Sequence, residues 1–400
     1  MKYLFIIQGE GRGHLTQAIS LSSILRKNGH EVVGALVGKN KERVIPKFFY
    51  DKIGTEVITY NSPNFVWNKA ETDVKLFQTV VFNMTASKFR DYNKSMDLIH
   101  NEIKEREPDV VINFYELLAG LTNLRYNEQT PFISMAHQYL IMHSQYPFRK
   151  MDNQNMLYLK LNTFLSSYGS SKKLGLSFYD MEEDTNNNIS IVPPLLRDEV
   201  LKLKPTQGDY ILTYIVVKGF AEEIMKWHYE NPEQKLHVFW DKSDESEETK
   251  IDDTLTFHKI NDIKFLEYLA NCKAFVTTAG FESVCEAMYL NKSIMMIPTH
   301  VEQKINSLDA ESSGIGIASN DFNISKILNL SNTKSEGNKS FNLWIESAES
   351  QYLNHLTTIS KPNYIKRQNN LINRSQIELL NFYNSIRNEN KHIWSNRYWL

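Results

Sequence analysis

Residues 2–8, KYLFIIQ, form an unbroken apolar run of strand length, and glycines follow at once. From residue 15 the period changes. Leu15, Ala18, Ile19, Ser22 and Leu25 recur every three or four positions, and Asn28-Gly29 closes the pattern as a helix end. Residues 31–37 return to a strand pattern. Strand, turn, helix and strand make a βαβ unit. Its turn lies at the carboxyl end of the first strand, where open α/β sheets bind ligands.

Strands are also expected at 56–60, 110–114, 132–135 and 190–192, with helical character over 75–106 and 157–164. The polar stretch 180–188 reads as an exposed loop. After Pro193-Pro194-Leu195-Leu196-Arg197 a second α/β set begins: strand 210–216, helix 219–228, strands 235–240 and 254–259, helix 263–271 and strand 274–277. Residues 277–316 then read strand end, small-residue turn, helix, strand, polar loop and helix. The shared βαβ grammar predicts two similar domains facing each other, 1–195 and 196–364. Residues 320–360 are weakly patterned. The tail, 365–400, is helical in places, mostly basic, and aromatic at its end.

At 400 residues the chain exceeds one comfortable core. Lys+Arg total 45 against Asp+Glu 47, a net charge of −2 that argues against a nucleic-acid protein held by phosphate neutralisation. The two cysteines, Cys272 and Cys285, form no metal motif or disulfide framework, so a cytoplasmic setting is expected. No apolar run reaches membrane-spanning length.

The turn Gly9-Glu10-Gly11-Arg12-Gly13-His14 has glycine at alternate positions, so a ligand can approach the main chain closely. The helix behind it offers free N–H groups. The dinucleotide fingerprint fails here, because position 14 is His and no acid ends the second strand; the Walker G-K-[ST] is absent. His14 should face the cleft, where a neutral imidazole can take a proton from an acceptor hydroxyl. A packed or capping histidine is the plainer alternative.

The second constellation is Thr277-Thr278-Ala279-Gly280 and the helix after it. The amides of residues 280–283 and the Ser283 hydroxyl would hydrogen-bond a diphosphate. Glu286 lies one turn further in, placed for a ribose diol. Glu282 has a weaker case and is readable as a helix-start acid. In the loop beyond residue 297, Glu302 and Gln303 could meet sugar hydroxyls. Glu116 and His137 end strands of the first domain and should open toward His14; Glu116 could orient it or bind an acceptor hydroxyl, or be a satisfied loop carboxylate, and a capping role is the alternative for His137.

With these residues in place, the chain resembles the GT-B glycosyltransferases, in the branch of the UDP-glycosyltransferases and the transferase that adds N-acetylglucosamine to lipid-linked muramyl-pentapeptide. GEGRGHLTQAISL is similar to that branch's glycine loop, histidine and first helix. Residues 279–316 are similar to its donor signature. The resemblance implies an α/β fold of two Rossmann-like domains with a donor cleft between them and a C-terminal helix crossing back. It implies His14 as base, and Gly13, Ala279, Gly280, Phe281, Ser283, Glu286, His300, Glu302 and Gln303 on the donor, with Ile260 backbone groups reading uracil. Arg12, Glu116 and His137 would serve the acceptor. The Trp and His of the plant-type signature are missing from TTAGFES, which weakens the case for plant-type acceptors.

The implied partners are a UDP-linked sugar as co-substrate and a hydroxyl acceptor, with a lipid-linked one and peripheral membrane contact through the basic tail as finer expectations. No Asp-x-Asp pair serves a divalent ion, so no metal cofactor is expected. Two alternatives share the architecture: an isomerase like the UDP-N-acetylglucosamine 2-epimerases, and a catalytically idle nucleotide-sugar-binding protein.

Overall fold

The computed structural model of the chain describes residues 1–41, 43–63, 79, 83, 85–150, 154–215, 220–240, 246–328 and 337–359. The first sheet comprises β1 (Lys2–Gln8), β2 (Glu31–Lys39), β3 (Val57–Asn61), β4 (Val110–Phe114), β5 (Phe132–Ala136), β6 (Lys172–Leu176) and β7 (Ile189–Val192). Its order is β3-β2-β1-β4-β5-β6-β7, parallel throughout. It is connected by α1 (Arg12–Lys27), α2 (Lys47–Ile53), α3 (Ala86–Arg106), α4 (Leu117–Tyr126) and α5 (Gln154–Ser166). In β1, Tyr3, Phe5 and Ile7 join one apolar cluster with α1, while Leu4 and Ile6 join another with α3. A strand buried on both faces needs an unbroken apolar run rather than alternation, and that is what the sequence of β1 shows.

After α6 (Asp198–Lys202) comes the second sheet: β8 (Tyr210–Ile215), β9 (Lys235–Trp240), β10 (Glu248–Lys250), β11 (Leu255–Lys259), β12 (Ala274–Thr277), β13 (Ser293–Met296) and β14 (Ile317–Ala318). Its order is β10-β11-β9-β8-β12-β13-β14, with the edge strand β10 antiparallel. Here α7 (Ala221–Glu230), α8 (Asp262–Asn271), α9 (Phe281–Tyr289), α10 (Val301–Ser312) and α11 (Ser325–Leu328) accompany it. Ile211 and Val276 face one cluster, Leu212 and Phe275 another.

The chain then crosses back. In α12 (Gly337–Glu346), Trp344 Nε1 donates to Ser177 O at 3.0 Å; in α13 (Ala348–Thr357), the Tyr352 hydroxyl donates to Pro193 O at 2.8 Å. Lys27 on α1 pairs with Glu349 at 2.7 Å. The return was expected after residue 365; the described residues make it earlier, within the stretch read as weakly patterned. Residues 365–400 lie outside the described residues, as does most of the expected helix before Ala86. Among the described residues no helix is long and apolar enough to cross a membrane.

β6 was also not expected. Its sequence, KKLGL, opens with two lysines, yet Lys173 is buried with its Nζ donating to Asn187 O at 2.8 Å. In both sheets the strand order reverses beside one strand, between β1 and β4 and between β8 and β12. Open α/β sheets bind ligands outside the carboxyl ends of the strands at such a reversal.

Candidate active site

The two reversals face each other across a cleft of about 480 Å³. From the first domain it is lined by the residue 10–14 turn, Gln17, Tyr115, His137 and Gln138. The second domain contributes Ile260, the residue 280–283 turn, Glu286, His300, Glu302 and Gln303. Both turns start helices the same way. Gly11 (φ −98°, ψ 157°) and Gly280 (φ −63°, ψ 129°) are extended N-caps, and as glycines neither offers a side chain to cap the first amides.

His14 is 9% exposed, so its ring is walled by protein, and it stacks on Tyr115 at 5.8 Å and 27°. Tyr115 itself sits at φ 59°, a left-handed conformation that redirects the chain at the end of β4. His14 Nδ1 meets Gln17 Oε1 at 3.2 Å, while no described residue hydrogen-bonds its Nε2. Burial pushes the imidazole down to about 4, opposed by the Gln17 hydrogen bond, so the ring is neutral near pH 7. A neutral ring with one nitrogen facing the cleft is a competent proton acceptor.

On the opposite wall, the Ser283 hydroxyl donates to Gly280 O at 3.0 Å. Glu286 is buried, and its Oε1 receives both Nε and Nη2 of Arg197, each at 2.7 Å. Its Oε2 meets no described residue. Gln303 Oε1 accepts from the amide and the hydroxyl of Thr299, at 2.9 and 2.8 Å, which turns its amide nitrogen to the cleft. Glu302 accepts from Gln138 of the first domain at 2.8 Å, and burial pushes its carboxyl up to about 7. His300 is pushed down to about 4 by burial and contacts the Thr299 hydroxyl at 2.9 Å. Ile260 lines the cleft beside Tyr214 and Phe265, but its N–H donates to Trp240 O at 3.2 Å. The expected use of Ile260 N–H toward a base is therefore not open, because that donor is already engaged.

Phe281 stacks on His137 across the domain boundary, centroids 4.0 Å apart. His137 Nδ1 donates to Leu176 O at 2.7 Å, leaving Nε2 buried without a hydrogen bond. Arg12 and Gly13 also line the cleft.

Two expected residues stand outside it. Ala279 is fully buried at φ 62°, and its carbonyl accepts from Asn306 at 3.2 Å. It shapes the turn. Glu116, expected to open toward His14, points away. Its Oε1 accepts from Ser62 at 2.6 Å and caps α4 through Leu118 N, and its Oε2 packs near Gly38 with no partner. Burial pushes that carboxyl up to about 7. The residue that does contact His14 is Gln17, one helical turn along. The i, i+3 spacing was the available signal. Arg197, read only as a domain boundary, is the other residue missed. Among the described residues no group of three His, Cys, Asp or Glu is arranged to hold a metal ion.

Solved structures share the architecture. A kitacinnamycin glycosyltransferase superposes with TM-score 0.59 at 14% identity, covering 94% of this chain and 98% of that one. Phytolacca americana UGT2, complexed with UDP-2fluoro-glucose and pterostilbene, gives 0.61 at 10% identity over 89% and 98%. The glycosyltransferase VinC, in complex with DTDP, gives 0.53 at 13% identity over 90% and 99%. No curated protein sequence matches the chain. The family model described as Glycosyl transferase family 1 matches residues 1–332, and the chain, two Rossmann-like domains in the GT-B arrangement, belongs to that family of glycosyltransferases.

Proposed function

We propose that the protein transfers a hexose from UDP to a hydroxyl acceptor with inversion and without a metal ion. The observation that carries this reading is the neutral His14 imidazole, its Nε2 unengaged, in the same cleft as the free N-terminal amides of α9. The diphosphate is assigned to the amides at Gly280, Phe281 and Ser283, where the helix dipole favours an anion. The Glu286 Oε2 takes the ribose, and Glu302, Gln303 and His300 face the sugar. The acceptor enters beside Arg12 and His137. Structures of this fold with UDP-2fluoro-glucose or DTDP bound support a nucleoside diphosphate donor. Ala279 and Glu116 serve by shaping the walls.

The acceptor oxygen attacks the anomeric carbon on the face opposite the diphosphate. Its proton passes to His14 Nε2, the bond from the anomeric carbon to the diphosphate oxygen breaks, and UDP leaves with that electron pair. The α9 amides stabilise the charge that builds on the leaving oxygen. Gln138–Glu302 and the two tyrosines on Asp309, Tyr146 at 2.8 Å and Tyr179 at 3.0 Å, hold the domains together around the donor and exclude water. Thermal stabilisation by UDP, UDP-sugars, GDP and dTDP, with and without EDTA, tests the donor side. A shift confined to uridine species is expected. No shift with any nucleotide overturns the reading and favours an idle scaffold; product from the donor alone favours an isomerase.

A further inference from the structure

We propose that Gln17 and Glu282 are positioning residues that set the tautomer of His14, so that the base is armed only when the donor domain closes on the first domain. This rests on the reading of His14 as the base. Gln17 sits on α1 and Glu282 on the first turn of α9, so the contact crosses the cleft. Gln17 Nε2 donates to Glu282 Oε1, and Gln17 Oε1 faces His14 Nδ1 at 3.2 Å. An ionised carboxylate only accepts, so it turns the amide nitrogen toward itself and the amide oxygen toward His14. An amide oxygen also only accepts, so the imidazole proton must lie on Nδ1. The lone pair is then on Nε2, facing the acceptor.

The second support is steric. A Cβ at position 13 would collide with the Glu282 carboxylate, so the glycine provides the space into which the donor-domain acid inserts. The same helical turn offers the amides assigned to the diphosphate. Donor binding and orientation of the base are therefore mechanically joined.

Protonation of Glu282 undoes the arrangement. A neutral carboxyl can donate to the Gln17 oxygen, the amide can flip, and its nitrogen then faces Nδ1 and drives the proton to Nε2. Burial pushes Glu282 up to about 7; hydrogen bonds from its own amide and from Gln17 oppose, Glu286 and Glu302 raise it further, and the nearby Cys285 thiol is itself held neutral. Arg197 is taken up by Glu286, and His14 is neutral in this range. Turnover should rise as pH passes through about 7.

The test compares kcat, KM and pH profile in four variants, with UDP-induced thermal stabilisation confirming that each is folded. Gln17→Leu should lower kcat about 10- to 100-fold with donor KM little changed, as loss of an orienting hydrogen bond does at metal-ligating histidines. Glu282→Gln should flatten the limb near pH 7, which a merely structural role would not move. Gln17→Glu sets two carboxylates against each other and should be impaired; combining it with Glu282→Gln restores one acceptor facing His14 and should recover kcat. Wild-type kcat and pH profile in Gln17→Leu, or no recovery in the double variant, overturns the proposal. Full activity in His14→Ala would instead overturn the base assignment beneath it.

Discussion

The two turns facing each other across the cleft, residues 9–14 and 278–283, are built alike and do different work. Each follows a strand at a reversal of sheet order and starts its helix on an extended glycine that offers no side-chain cap. On the first-domain side the proposed mechanism uses a side chain, His14, whose protonation depends on its neighbours. On the second-domain side the proposed mechanism uses main-chain amides, whose direction the backbone fixes. α1 has no acid in its first turn, whereas α9 carries Glu282, which fits against Gly13 of the other turn. Backbone geometry supplies a generic anion site; specific chemistry requires side chains meeting from both domains.

Substitutions can break that contrast. The largest expected effect is His14→Ala, a fall in kcat of about 10² to 10⁴ with UDP binding retained, read by steady-state kinetics and thermal shift. Next is Glu116→Gln, which separates a wall-building acid from Glu282. The folded-state pKa of Glu116, about 7, exceeds the ordinary value of 4.5. Its contribution to stability is therefore full below about pH 4.5 and is lost as pH rises through about 7. The amide variant escapes that loss. It should be more stable than wild type by about 1–3 kcal/mol at pH 8, with the advantage gone at pH 4.5, measured by urea denaturation.

Gly13→Ala should then lower kcat about tenfold by displacing the Glu282 carboxylate. Gly11→Ala, whose Cβ would meet nothing within 4 Å, should change it far less. The pair is read by parallel kinetics. Smallest is Ser283→Ala: loss of one hydroxyl worth about 1 kcal/mol should raise donor KM roughly fivefold and leave kcat within a factor of two. A fall in kcat instead would mean that the hydroxyl acts in the transition state.

Much of the fold was legible because parallel strands buried on both faces must be apolar runs. β1 and β4 are found where those runs stand, and the glycine turns mark where helices start. β6 escaped because the burial of Lys173 depends on a hydrogen bond from its Nζ to Asn187 O that no local pattern announces. α12 and α13 escaped because they are short helices whose anchors, Trp344 and Tyr352, meet partners more than 150 residues away.

The sequence alone determined the two α/β domains and the glycine turns, since these follow from local periodicity and from the small residues that tight turns require, and the family resemblance added part of the cleft lining. Only the tertiary structure decided which neighbour His14 has. Glu116, at the end of a strand, was the expected neighbour, and Gln17 had not been singled out. The positive φ at Tyr115 and the pocket by Ser62 and Gly38 turn Glu116 inward. The approach of α9 from the other domain holds Gln17 against the imidazole. Side-chain direction depends on backbone conformation and packing from distant segments, and no local pattern encodes either.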